Sequence, residues 1–153
     1  KGATRKGTMQ IRLKDGGIFN AEGKQTEFFN VGEHMEIRLK YETEQPQEKI
    51  NFIINITRDD GVYCFGTTAL SGLKKEYQLV KENEGCVTFV IESNNLLEGK
   101  YYMDLGIQNL QEEVYDYISN AMSFRVQKSQ EAEQGLVYLP GYWKCDGKDI
   151  RLD

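Results

Sequence analysis

In Met35-Glu36-Ile37-Arg38-Leu39-Lys40-Tyr41, apolar residues hold the odd positions and charged residues the even ones. Successive side chains of a β-strand point to opposite faces, so this alternation predicts a strand with one buried face and one solvent-facing face. Nowhere do a dozen residues hold a clean helical period, so the chain is predicted to be all-β. Further strands are predicted near residues 9–13, 26–31, 50–58, 62–65, 86–91, 100–108 and 119–126.

Turn signals separate these segments. Asp60-Gly61 follows the strand predicted at 50–58, and an Asp-Gly pair supplies the positive φ that a tight hairpin requires. About eight short strands with turns between them predict an immunoglobulin-like antiparallel β-sandwich. A closed barrel fits the same strand pattern and stays open as an alternative.

The length of 153 residues is that of one domain with one core. We assign residues 1–126 to the sandwich, 127–135 to a polar linker and 136–153 to a C-terminal strand segment of the same domain. The stretch from Leu136 to Trp143 is apolar and aromatic. It must bury against its own sandwich or, exchanged, against that of a second copy, and the sequence leaves both open.

Composition narrows the classes of ligand. A net charge of −5 argues against a nucleic-acid partner, because affinity for phosphate backbones depends on lysine and arginine. A neutral or weakly charged ligand fits better. The 3 cysteines form no CxxC pair and His34 is the single histidine, so neither a disulfide framework nor a zinc site is indicated. A reducing compartment is the simplest inference, and no metal or cofactor is expected.

No catalytic residues can be assigned from the sequence. His34 begins an exposed strand face and has no nucleophile near it in the chain. Glycoside hydrolysis needs two carboxyl groups about 5–10 Å apart across the sugar. Asp59 and Asp60 form a pair by composition, yet carboxylates at a hairpin tip are solvated and do not acquire the separated pKa values of an acid and a base. Binding is therefore favoured over catalysis.

Aromatic and amide side chains are the remaining indication of a binding function. The chain has 9 tyrosines, together with amide side chains on its predicted strands. Sugar sites combine aromatic rings, which stack on pyranose faces, with polar groups that bond to hydroxyls. If strands 50–58, 100–108 and 119–126 pair, one outer sheet face collects such groups. The alternative is that they cover a solvated sheet. The candidate carbohydrate-binding residues are Asn51, Asn55, Tyr102, Asp104, Gln108 and Arg125.

Several segments, in their order and spacing, carry a family resemblance. They are Phe29-Asn30-Val31-Gly32-Glu33, Ile56-Thr57-Arg58-Asp59-Asp60-Gly61-Val62 with Phe65-Gly66-Thr67-Thr68, Leu97-Glu98-Gly99-Lys100-Tyr101-Tyr102, and Gly135-Leu136-Val137-Tyr138 with Trp143. From about Met9 to Trp143 the chain resembles the C-terminal domain of Wzt-type ATPase subunits, which belong to bacterial ABC exporters of O-antigen and related cell-surface polysaccharides.

The resemblance implies a non-catalytic domain that recognises a lipid-linked polysaccharide before export. It also implies a homodimer formed by exchange of the strand at 136–143, and an ATPase domain encoded before Lys1 that joins a transmembrane exporter subunit. The expected location is then cytoplasmic, at the inner face of the cell membrane. Tyr101 would be structural, as in a tyrosine corner, and Tyr102 would point the other way as the better ligand candidate.

Two other functions stay open. The chain can be a structural or protein-interaction sandwich, in which the apolar C-terminal segment adds a strand to a partner by β-augmentation. A glycosidase that uses Asp59 or Asp104 is the third hypothesis.

Overall fold

The computed structural model describes residues 2–46, 50–69, 83–127 and 133–149. Twelve β-strands lie within these ranges, and none of the described residues forms a helix long and apolar enough to cross a membrane. The strands are β1 (Thr4–Lys6), β2 (Ile11–Leu13), β3 (Gly17–Phe19), β4 (Phe28–Phe29), β5 (Met35–Thr43), β6 (Ile50–Arg58), β7 (Tyr63–Thr68), β8 (Glu84–Ile91), β9 (Gly99–Asn109), β10 (Val114–Val126), β11 (Lys144–Cys145) and β12 (Lys148–Asp149).

Two sheets face each other. The first sheet has the order β1-β10-β9-β6-β7, with β4 beside the end of β10. In the second sheet β2 and β3 both pair with β5, and β8 pairs with β5 as well. All of these pairs are antiparallel except β4 with β10. The run β10-β9-β6 corresponds to the G-F-C run of an immunoglobulin-like sandwich, so the predicted fold class is confirmed.

The core lies between the sheets and consists of the alternate residues of their strands. In β5 the odd positions that the sequence singled out are buried, and β6 and β9 follow the same rule. Phe124 and Val126 of β10 complete the first sheet's inner face. The buried apolar residues on the inner faces of β5, β6 and β9 are Met35, Ile37, Leu39, Tyr41, Ile50, Phe52, Ile54, Ile56, Tyr101, Met103, Leu105 and Ile107.

Strand β10 differs from the prediction. It begins at Val114 rather than near residue 119, and its register against β9 shifts between Ile118 and Met122. Asn120 lies inside this irregularity with a φ of 53°, a left-handed conformation that asparagine tolerates better than most residues. The bulge interrupts the alternation of inward- and outward-facing side chains on which the sequence prediction depended.

The C-terminal segment, predicted to be a strand over 136–143, makes one isolated bridge between Val137 and Leu96. The backbone N–H of Leu97 donates to the carbonyl of Leu136 at 3.0 Å. Beyond this attachment Leu139 and Trp143 are 78% and 81% exposed, and the regular pairing of the segment lies later, in β11 and β12. Exchange of the segment between two copies stays a prediction, and residues 128–132 of the predicted linker lie outside the described residues.

Tyr101 forms the expected tyrosine corner. Its side chain is fully buried, and its hydroxyl donates to the carbonyl of Leu97 at 2.6 Å, four residues earlier. This bond closes the turn before β9, and the ring stacks on Phe124 with centroids 5.3 Å apart. The structural role that the resemblance implied for Tyr101 is therefore confirmed.

We expect Tyr101→Phe to lower the free energy of unfolding by about 1–3 kcal/mol, because it leaves the Leu97 carbonyl without its donor. Burial raises the pKa of Tyr101 to about 12. Since the unfolded value is about 10, the folded state holds this proton more tightly, and stability should fall as the pH rises from about 10 through 12. Denaturant titrations across this range should find a weaker pH dependence in the variant.

Tyr115→Phe is the matched control for Tyr101→Phe. This tyrosine is also buried, at 6% exposure, and among the described residues its hydroxyl makes no hydrogen bond. Tyr115→Phe should therefore lower the free energy of unfolding much less than Tyr101→Phe. Equal losses in the two variants would contradict the role given to the Tyr101 hydroxyl.

Candidate functional site

The outer face of the first sheet carries all six candidate residues predicted from the sequence. Each lies between inward-facing neighbours on β6, β9 or β10, so its side chain points away from the core. Asn51 lies opposite Gln108, Asn55 opposite Asp104, and Arg125 opposite Lys100. The predicted pairing of these three strands is thus confirmed, and we call this surface the outer face.

A chain of hydrogen bonds crosses the centre of the outer face. The Tyr63 hydroxyl donates to Oδ1 of Asn55 at 2.8 Å, and Nδ2 of Asn55 donates to the Tyr117 hydroxyl at 3.0 Å. The Tyr117 hydroxyl in turn donates to Oδ2 of Asp104 at 3.0 Å, and the backbone N–H of Asn120 donates to Oδ1 at 2.8 Å. These five residues form the polar network. Each bond fixes the orientation of the next group, so the surface is preorganised.

Two glycines allow the tyrosine rings of the network to lie close to the sheet. A Cβ atom added to Gly106 would come within 2.6 Å of Cδ2 of Tyr117, so the ring lies over the bare backbone of the neighbouring strand. A Cβ atom on Gly66 would collide with the Tyr63 hydroxyl in the same way. A larger residue at either position would displace these tyrosine side chains from the places that they occupy in the network.

The surroundings of Tyr117 raise the pKa of its hydroxyl and keep it protonated. Burial raises the pKa of Tyr117, the bond from Asn55 lowers it, and the bond to the Asp104 carboxylate raises it again. The net shift is upward, so the hydroxyl remains a donor to Asp104 at neutral pH. On β1, the ammonium of Lys6 lies 5.8 Å from the centroid of the Tyr117 ring.

Tyr102 lies on the outer face as predicted, but little of its side chain is accessible. It is only 8% exposed, and the Lys100 ammonium lies 5.3 Å from its ring centroid. Its role as a ligand residue stays a prediction. The ring of Tyr63 on β7, by contrast, is 63% exposed.

Sequence reasoning missed Tyr63 and Tyr117. Tyr63 follows the Asp-Gly turn, and the hairpin register, which pairs it with Thr57, could have placed it on the outer face. Tyr117 lies before the bulge of β10, in a stretch that had not been assigned to a strand. The sequence holds no comparable signal for it.

The carboxylates considered for catalysis are held in ion pairs or hydrogen bonds. Both oxygens of Asp60 accept from Arg58, at 2.9 and 2.8 Å, and this bond lowers the pKa of Asp60. A general acid needs a raised pKa, so the shift has the wrong direction for that role. Gly61 has a φ of 91°, as the predicted hairpin turn requires. Within the described residues no group of His, Cys, Asp and Glu side chains could hold a metal ion.

Comparison with known proteins identifies the family. A family model described as the Wzt C-terminal domain matches residues 2–139. The chain belongs to the Wzt C-terminal domain family. The resemblance noted in the sequence is therefore confirmed. Among curated protein sequences nothing matches.

A solved structure of the same family shares the fold. A crystal structure of the C-terminal domain of Wzt aligns with a TM-score of 0.81 at 19% identity, over 94% of this chain and 88% of that one. At this identity the match shows a shared fold. An immunoglobulin-like protein from Pseudomonas aeruginosa aligns with a TM-score of 0.40 at 12% identity, over 78% of this chain and 98% of that one.

Proposed function

We propose that this Wzt C-terminal domain binds a polysaccharide without catalysis, and that the outer face of its first sheet is the binding surface. The polar network carries this proposal. It holds two tyrosine rings and an amide in fixed positions on an open sheet, although none of these groups contributes to the core. Preorganised aromatic and hydrogen-bonding groups are what a protein needs to bind pyranose rings and their hydroxyls.

The Tyr63 end of the network retains capacity for a ligand. The Tyr63 hydroxyl uses its proton on Asn55, and its oxygen keeps lone pairs that can accept a bond from a sugar hydroxyl. The exposed ring of Tyr63 provides a flat apolar surface beside it. A sugar can therefore stack on the ring and bond to the network at the same time.

Family membership supports the wider context of the proposal. The domain would act as the substrate-recognition domain of the ATPase subunit of an ABC exporter, in a parent chain whose ATPase domain precedes Lys1. Its ligand would be a lipid-linked O-antigen or related glycan, and its partner a transmembrane exporter subunit. We propose that the domain lies in the cytoplasm at the inner face of the membrane.

The first test is Tyr63→Ala. Removing the exposed ring should weaken binding to a glycan selected from an array of bacterial surface polysaccharides by about tenfold, the value of one aromatic contact of about 1.4 kcal/mol. Stability should change little, because Tyr63 lies outside the core. Isothermal titration calorimetry measures the affinity.

Val90→Ala is the control for Tyr63→Ala, because Val90 is 47% exposed on the second sheet. If Tyr63→Ala and Val90→Ala lose glycan affinity equally, the outer face is not the binding surface. An unchanged affinity in Tyr63→Ala would also argue against the outer face.

The C-terminal segment supports a second function, strand addition to another copy or another protein. Leu139 and Trp143 are large, apolar and almost fully exposed, whereas Leu136 packs against the core. Such a segment is suited to adding a strand to a partner. The homodimer expected from the family resemblance would use the same residues, 136–143.

Deleting residues 135–153 should convert a dimer into a monomer if the segment is exchanged. Light scattering at several protein concentrations measures the mass. A dimer of unchanged stability after the deletion would contradict strand exchange, and glycan affinity measured in parallel should not change, since the outer face is intact.

A further inference from the structure

The outer face is positively charged on a chain whose net charge is −5. Lys6 on β1, Lys100 on β9 and Arg125 on β10 occupy outward positions there. Among the described residues of these strands, Asp104 is the carboxylate at an outward position of the face, and both its oxygens already accept hydrogen bonds from the network. The charge of the face is thus opposite in sign to that of the whole chain.

Two of these cations lie directly opposite each other. Arg125 pairs with Lys100 across β10 and β9, and on its other side it pairs with Phe28 of β4, whose ring is 54% exposed. We call these three residues the cationic row. Like charges at directly opposite positions destabilise a sheet. Among the described residues neither Lys100 nor Arg125 forms an ion pair that would offset this repulsion.

We propose that the cationic row binds an anionic group on the ligand, a carboxylate or phosphate carried by a sugar residue that packs against Phe28. The guanidinium of Arg125 matches the two oxygens of such a group in a bidentate arrangement, and the Lys100 ammonium adds a second positive charge. The inference rests on the proposed function and narrows it to an acidic glycan, where composition alone had favoured a neutral or weakly charged ligand.

The test compares methyl α-glucuronoside with the neutral methyl α-glucoside, which differ in one carboxylate, and uses inorganic phosphate as a third probe. Amide resonances of the domain are followed by NMR during each titration at low ionic strength, where exposed charges are least screened. The glucuronoside should shift the amides of Tyr102 and Ser123, which adjoin the row, at about fivefold lower concentration than the glucoside, as expected for one exposed ion pair. A stronger response to phosphate would identify phosphate as the group bound.

The double variant Lys100→Gln/Arg125→Gln should abolish this preference. Arg12→Gln/Lys40→Gln changes the net charge equally on the second sheet and should keep it. Equal responses to the two sugars would overturn the inference, and so would a preference that survives in the first double variant or disappears in the second.

The outcome also separates this inference from the proposed function. If only the inference fails, both sugars shift the amides of Asn55 and Tyr63 equally. If neither sugar shifts any amide of the outer face, both proposals fail.

Discussion

Replacing Asp116 with alanine is expected to lower the free energy of unfolding by about 2–4 kcal/mol, because the buried N–H of Leu13 loses its acceptor and Arg5 loses its charged hydrogen bonds. Asp116 is fully buried in β10. Its Oδ1 accepts a bond from Nε of Arg5 at 2.8 Å, and its Oδ2 accepts from the backbone N–H of Leu13 at 2.7 Å and from a second nitrogen of Arg5. One carboxylate thus joins β1, β10 and the second sheet.

Chemical denaturation followed by circular dichroism measures the effect of Asp116→Ala. Arg5→Ala should lower the free energy of unfolding by a similar amount, because it leaves the Asp116 carboxylate buried without its cation. Glu113→Ala, an exposed position just before β10, is the control and should stay within about 0.5 kcal/mol of the wild type. A loss below about 1 kcal/mol for Asp116→Ala would contradict the role of this residue as a buried junction.

The second large effect is expected for Asn55→Ala. Asn55 is bonded to both tyrosine hydroxyls of the network, so its loss frees two rings at once. Two neutral hydrogen bonds of about 1 kcal/mol each correspond to roughly a 30-fold fall in glycan affinity. The side chain is only partly buried, so the free energy of unfolding should change far less than in Asp116→Ala.

The control for Asn55→Ala is Thr88→Ala, which removes an exposed polar side chain on the second sheet, away from the outer face. It should change glycan affinity by less than about threefold. If the two variants lose affinity equally, the network is not the organising feature of the site. If neither loses affinity, the ligand binds elsewhere.

Sequence alone predicted the sandwich because its long strands obey the simplest rule available. Met35, Ile37 and Leu39 alternate with charged residues, and this alternation is typical of a strand with one buried face and one solvent-facing face. The bulge at Asn120 could not be predicted in this way, since it inserts residues that belong to neither face. The short strand β1 has no apolar alternation at all, and its place depends on the contact between Arg5 and Asp116.

The site was predicted in part, for a related reason. Strand pairing brings Asn55 opposite Asp104, and alternation alone places both on the outer face. The hydrogen bonds between them pass through Tyr117, whose position depends on the bulge, and through the space above Gly106 that only a structure reveals. The burial of Tyr102 likewise depends on how its neighbours pack, which a pattern of residue types does not encode.

Mapping a bound glycan onto the domain by NMR tests the central claim most directly. The ligand is the strongest binder from an array of bacterial surface polysaccharides, and the observed signals are the backbone amides of the folded domain. We predict that the amides of Asn55, Tyr63 and Tyr117 shift on titration and that Asn55→Ala removes these shifts while the domain stays folded. Shifts confined to the second sheet, or an array on which the folded domain binds no glycan, would contradict the account.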